Sequence, residues 1–470
     1  MKRFVQIAFV CVLVAGLIIF ALTWMQNRNT PQNLIERLRA ERGDREELAM
    51  KISLARGDVI GALIPHFNDP TASEDFRAQV LRLLLSLYQR GKDDRVLDVV
   101  RRALEDSSAD IRRAAADGVD TFMAENHYHL LAGSITDDDP EVRRHAYTVM
   151  LPETWRGADS RPWPPMSDEQ LEAVVQDAKQ QTQRETDPEL KFLARSVLGR
   201  RVRELCYRAY QRRQQADMEG AEDFYRQAVE LDPTSWIPRM PLARHYLFAG
   251  DREKAIQAAR VCGGLIEIPR LKESPVVDGD VNDDVWKDAY QTDNFYISTC
   301  AYAEKEIEGK SQVAIGHRDG TIYFATWGYE DDLDQMKVQH MKRDGAIWTD
   351  DCVEILIDPS LDGKDRYQFI INPAGTFADA HQSNWKLNFK GEHSAQVFHD
   401  RGYWGSEVSL ELKDLGVEVT PDTILSFCVY RLQSGSTGEH GGMLPTFRGT
   451  RGYHHFPLAV FLEAETDSKK

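Results

Sequence analysis

Near Cys262 the hydrophobic period of this chain changes, and nothing else in the sequence constrains the fold as tightly. From about Asn33 to Cys262 apolar residues recur at three-and-four spacing, without strand-like alternation. From Leu265 onward short runs of five to nine residues are separated by Gly, Pro and Asp turns. One packed layer cannot satisfy both periods, so the chain predicts an all-α part followed by an all-β part, each with its own core. Its 470 residues allow this, since a domain takes ~100–200 residues. With 42% apolar and 28% charged residues, a disordered or collagen-like chain is excluded.

The helical part is self-similar. Ser108-Ala109-Asp110-Ile111-Arg112-Arg113-Ala114 returns as Asp139-Pro140-Glu141-Val142-Arg143-Arg144-His145-Ala146, with related starts at Glu74-Asp75-Phe76-Arg77 and Asp187-Pro188-Glu189-Leu190. An acidic turn, a helix start and an Arg one residue past an apolar position resemble HEAT-type repeats, helix pairs that stack into a solenoid. A Pro-rich stretch, Pro152 to Pro165, interrupts the array. Ala221 in the helix ending Ala228-Val229-Glu230-Leu231-Asp232-Pro233, and Ala255 after Gly250-Asp251, look like matching positions of tetratricopeptide units. Two readings stay open for these repeats: a groove that docks a protein partner, or a spacer.

In the β part, Ser311 to His317, Thr321 to Tyr329, Cys352 to Asp358, Arg366 to Asn372, Tyr403 to Glu411 and Ile424 to Leu432 read as strands. Asp319-Gly320 between two of them is a hairpin turn. Strands of this length and spacing predict an antiparallel sandwich of jelly-roll type.

Within it, Val276-Val277-Asp278-Gly279 with Trp286, the run from Trp348 through Glu354 to Asp358, Gln368-Phe369 with Asn372, and Trp404 leading to Glu407 resemble family 9 carbohydrate-binding modules in order and spacing. The resemblance covers nearly all of Glu267 to Glu463. It implies a sandwich domain in which two aromatic rings stack on a sugar while polar side chains hold its hydroxyls. Carried over by motif, Trp348 and Tyr453 take the aromatic positions, Glu354 a hydroxyl-binding carboxylate and Asn372 a further polar position. Trp385, on a polar stretch, is an additional contact. Ile370 stands where sugar binders carry an Arg, which removes a bidentate clamp. Family members also hold structural calcium, and Asp278 to Asp284 offers oxygen ligands, although Asp283 and Ala289 replace the Gly and Glu of an EF-hand loop. Such modules are similar to cytochrome-binding DOMON domains, so a haem-binding electron-transfer protein is the alternative, with Met336, Met341, Met443, His340 or His440 as axial ligands.

Charge and hydropathy complete the reading. From Leu265 to Lys470 there are 20 basic and 35 acidic residues, a net of −15. Such a surface repels phosphate backbones, so no nucleic-acid partner is expected. Phe4 to Trp24 is a span of 21 uncharged residues, long enough as a helix to cross a bilayer. Four Arg residues follow it, against Lys2 and Arg3 before it, so the positive-inside count favours a cytoplasmic bulk, whereas a glycan ligand favours the extracytoplasmic, periplasmic side. Six scattered cysteines without CxxC spacing indicate neither a disulfide framework nor a zinc site. No Ser-His-Asp set, P-loop or HExxH is present, and Asp351 and Glu354 fall on opposite faces of a strand, so no catalytic pair is expected.

The expectation is therefore a multidomain, single-pass membrane protein: an anchor in residues 1–30, HEAT-like repeats in 31–205, tetratricopeptide-like repeats in 206–263 and a carbohydrate-binding sandwich in 265–465. It is a non-enzymatic glycan-binding protein, at most an accessory to glycoside hydrolysis.

Overall fold

A computed structural model describes residues 30–40, 44–123, 125–151, 163–297, 310–362, 365–382, 384, 389–435, 438–443 and 456–463. The described residues up to Val197 belong to one compact unit and those from Leu198 onward to a second.

The first unit is helical. It contains α1 (Pro31–Arg39), α2 (Arg45–Ser53), α3 (Val59–Phe67), α4 (Glu74–Gly91), α5 (Arg95–Leu104), α6 (Ala109–Phe122), α7 (Pro140–Met150) and α8 (Asp168–Arg184), with a 3₁₀ stretch at Glu125–Thr136. Helix starts are written locally. Ser73 accepts the Phe76 N–H at the start of α4, and Asp139 accepts the Glu141 and Val142 N–H groups at the start of α7, with Pro140 at its first position. The recurring Arg has one role in three places. Arg77 pairs with Asp106, Arg112 with Asp137 at 2.8 Å and Arg143 with Glu185 at 2.7 Å. Arg112 also donates to the Asp106 carbonyl at 2.9 Å, and Arg143 to the Asp137 carbonyl at 2.8 Å. Each Arg thus ties its own helix to the turn before it and to the acidic turn that opens the next segment. The sequence self-similarity is the trace of these bonds.

One expectation is corrected here. Among the described residues no helix is long and apolar enough to cross a membrane. The Phe4–Trp24 span, on which the anchor and the periplasmic single-pass placement rested, lies outside the described residues, and neither is carried further.

The second unit combines helices α10 (Met218–Leu231), α11 (Trp236–Phe248) and α12 (Arg252–Val261), which follow α9 (Pro188–Gln214), with two β-sheets. The larger sheet orders β1 (Leu265–Ile268), β13 (Leu458–Phe461), β11 (Ile424–Gln433), β6 (Cys352–Asp358), β7 (Tyr367–Ile371) and β8 (Phe377–His381). From β11 it extends through β12 (Glu439–Gly442) to β3 (Tyr296–Ile297). The smaller sheet orders β2 (Tyr290–Thr292), β4 (Ser311–Arg318), β5 (Thr321–Tyr329), β10 (Tyr403–Glu411) and β9 (His393–Phe398). Their inner faces share one core, in which Phe324 of β5 meets Phe427 of β11 edge to face at 5.5 Å. The all-antiparallel expectation is also corrected: β1 and β13 run parallel, Leu265 opposite Leu458. They are the first and last strands of the region, and that long connection is what a parallel pair requires.

The outer face of the larger sheet is shared between two uses. At one end Asp358 and Ser426, opposite each other on β6 and β11, receive Arg244 of α11. The guanidinium lies 3.7 Å from Asp358, donates to Ser426 Oγ at 2.8 Å and to the Leu361 carbonyl at 2.7 Å, and is fully buried. Ala221 and Ala255, the paired small residues of the helical segment, are both fully buried. Four residues further along β6, ~13 Å away at strand rise, the same face carries Glu354.

Candidate functional site

The motif around Val277-Asp278-Gly279 has a structural cause. Glu407 of β10 accepts the Asp278 and Gly279 N–H groups at 3.0 and 2.9 Å and the Trp286 indole N–H at 2.8 Å. One buried carboxylate therefore fastens the opening loop and its tryptophan to the smaller sheet. Gly279 is required there twice over, by φ +91° and because a Cβ would lie 2.9 Å from the Ala395 backbone. Burial pushes Glu407 up to about 7 against these three hydrogen bonds. In the same loop Asp278 and Asp280 accept the N–H groups of Asp280 and Asn282. Among the described residues no three His, Cys, Asp or Glu side chains are grouped as a metal site would need.

A second clamp fixes the loop before β6. Asp350 accepts the Gln339 and His340 N–H groups at 3.1 and 2.9 Å, contacts His340 Nδ1 at 2.9 Å, and receives Asn372 Nδ2 at 3.2 Å. Burial works against its charge, but the bonds from His340 and Asn372 prevail and hold it below the usual carboxylate range. Asn372 also donates to the His340 carbonyl at 2.9 Å and accepts the Ala374 and Thr376 N–H groups at 3.2 and 2.9 Å. Asp351 takes the Lys337 and Gly435 N–H groups. These bonds use both amide protons and both lone pairs of Asn372. It positions the loop, and its polar atoms are committed within the fold.

What the clamp holds is a 3₁₀ turn, Ile347–Thr349. Ile347 is fully buried and packs with Cys352, Ile370 and Ala378 on the outer face of the larger sheet. Trp348, the next residue, stands 41% exposed. Ile370, where the resemblance would place an Arg, lies directly opposite Glu354 across β6 and β7. Its side chain supports the Trp348 turn instead of reaching a ligand.

Glu354 is a buried polar group of this face, at 3% exposure. Gln368 donates to its Oε1, and Oε2 lies 3.9 Å from His440 Nε2. Tyr430, opposite Glu354 on β11, packs its ring against His440 at 5.0 Å. Burial pushes Glu354 up to about 7, with the Gln368 bond and the Arg366 charge opposing, and pushes His440 down to about 4. At neutral pH the imidazole is uncharged, so the 3.9 Å contact is not an ion pair. Gln368 was within reach of the sequence, lying two residues before Ile370 on the same strand face. His440 arrives on the four-residue β12, whose glycines gave no strand pattern.

The remaining sequence-stated residues separate. Tyr453 and Trp385 lie outside the described residues. Trp404, of the motif leading to Glu407, is fully buried under the Arg431 guanidinium, which pairs with Glu330 inside the sandwich. Of the haem alternatives, His340 is held by Asp350, Met443 is in the core, His440 faces Glu354 and Met341 is exposed. These placements lend the haem reading no support. In the helical unit a groove of about 390 Å³ is lined by Asp75, Arg82, Asp110, Arg113, Glu141 and His145. Arg113 pairs with Asp139 and His145 with Asp120, and the groove identifies no partner.

No family model matches the chain, and no curated protein does. Among solved structures, a protein from Bacteroides uniformis provisionally described as carbohydrate-binding is similar at 12% identity and TM-score 0.32, over 42% of this chain and 99% of that one. The Escherichia coli protein YibA is similar at 15% identity and TM-score 0.27, over 49% of this chain and 82% of its own. An engineered protein is similar at 14% identity and TM-score 0.23, over 48% and 97%. Likenesses this low carry no argument about function.

Proposed function

We propose that the chain is a non-catalytic carbohydrate-binding protein and that its glycan seats on the outer face of the larger sheet, against Trp348 and above Glu354. The observation that carries this reading is the Trp348 turn. A large aromatic held exposed by a fully buried neighbour and by the Asp350 and Asn372 hydrogen bonds is a rigid platform, and sugars stack their C–H faces on such rings. Glu354 and Gln368 then supply adjacent buried and half-buried polar groups of the kind that orient hydroxyls. Asp350 and Asp351 are engaged with loop amides, which supports binding without hydrolysis. The test is a glycan array probed with the full chain and with Trp348→Ala. Glycans retained by the wild type and lost by the variant support the reading; identical profiles, or no glycan retained by either, overturn it.

A further inference from the structure

Toward the end of α9, in the second unit, three arginines have a carboxylate on the molecule itself. Arg201 and Arg208 share Glu204, at 2.9 and 2.5 Å, and Arg212 lies 3.2 Å from Asp217. Half-buried Arg213 has no carboxylate partner among the described residues. Its guanidinium lies instead 5.4 Å from the ring centre of Tyr210 and 4.5 Å from that of Phe248, at the end of α11. Cation–π attraction to two rings holds the charge in place. The in-plane N–H donors of the guanidinium fork are left for a planar acceptor. The rings themselves are in solvent: Phe248 is 56% exposed, Tyr210 37%, and Tyr207, one turn earlier on the same face of α9, 50%. Single exposed apolar side chains need no explanation, but three exposed rings gathered around one unneutralised guanidinium form a patch.

We propose that this patch docks an acidic polypeptide segment, one of whose carboxylates takes the Arg213 fork while adjoining apolar side chains cover Tyr207, Tyr210 and Phe248. Charge complementarity selects this occupant. A carboxylate matches the guanidinium fork in shape and charge and can bond it in two places. A peptide supplies that carboxylate and the apolar groups for the flanking rings on successive residues. Tyrosine and arginine are also the residue types that carry most of the energy at protein interfaces. A nucleic acid fits less well. It would bring one phosphate per nucleotide to a helix whose neighbouring arginines are already neutralised by Glu204 and Asp217, in a chain of net charge −17. Nothing in this docking requires a glycan.

The experiment pans a phage library of random dodecapeptides on the immobilised full chain and, in parallel, on Arg213→Gln and Tyr207→Ala. The expected result is enrichment on the wild type of sequences with Asp or Glu beside Leu, Ile, Phe or Met. The most enriched sequence, synthesised and followed by fluorescence anisotropy, is expected to lose at least ~10-fold in affinity to each variant. Arg213→Lys, which keeps the charge without the planar fork, is expected to weaken binding as well. Tyr207 stands half in solvent, so its removal tests the patch without disturbing the Arg213 stack, and melting curves verify that the variants are folded. No enrichment over the starting library, enriched sequences without acidic residues, or affinities unchanged in both variants overturns the inference. An oligothymidine of the same length that binds the wild type and not Arg213→Gln overturns it in favour of nucleic acid. A concentration-dependent dimer lost in that variant overturns it in favour of a second copy.

Discussion

Glu354, His440 and Glu407 make the stability of the second unit depend on pH. Glu354 and Glu407 have pKa values raised to about 7 in the folded state, so folding takes up a proton above their unfolded values. Their contribution is complete below about pH 4.5 and is lost as pH rises through about 7. His440 has the opposite sign: lowered to about 4, it contributes above about pH 6.5 and loses that contribution as pH falls toward 4. Denaturant unfolding of wild type and Glu354→Gln at about pH 5.5 and 8 isolates the first effect. The wild type is expected to lose about 2 kcal/mol more than the variant across that interval, and equal losses would mean that Glu354 is not buried as described. Trp348 behaves differently, because its ring is exposed. Trp348→Ala should leave stability within about 0.5 kcal/mol while costing sugar affinity about 1–3 kcal/mol, by analogy with base stacking on aromatic rings.

Between elements, buried polar contacts set the geometry, and two of them can be cut separately. Arg244→Met strands Asp358 in the sheet without its cation, an expected loss of about 3–5 kcal/mol. Adding Asp358→Leu should recover most of that, since an apolar pair of similar volume replaces a buried ion pair at little cost. Failure of the double variant to recover would place the loss elsewhere in the α11 contact. In the helical unit, Arg112→Ala should cost clearly more than Arg101→Ala, because Arg112 is largely buried against Asp137 while Arg101 pairs with Asp98 in the open. Paired melting curves check this. Such contacts also explain what could be read in the sequence. Thr321–Tyr329, Cys352–Asp358 and Tyr403–Glu411 are central, long and patterned, and their ends stand where the sequence put them. The two-residue β3 and four-residue β12 carry no usable period, and β1 owes its place to its partner β13. Trp348 and Glu354 could be singled out as candidates from the sequence because their motif is local. The roles of Asn372 and Ile370 could not be read there, since they depend on a loop folded back by Asp350 and on a turn whose Ile347 fills the place of a longer side chain.

At the scale of the whole molecule, the second unit joins helices to sheets through Arg244 and through the core in which Leu458 of β13 packs with Tyr225, Met240 and Tyr246. Amide protons of α11 should therefore exchange with the same opening free energy as those of β6 and β11; earlier exchange in α11 would mean that the helices unfold independently of the sheets. Carbohydrate binding at the outer face of the larger sheet is decided by calorimetric titration of the full chain with an array-selected glycan, beside Trp348→Ala and Glu354→Gln. Saturable binding is expected to fall roughly 5- to 150-fold without Trp348 and to change its sugar preference without Glu354; affinity unchanged in both variants would rule out a glycan on this face.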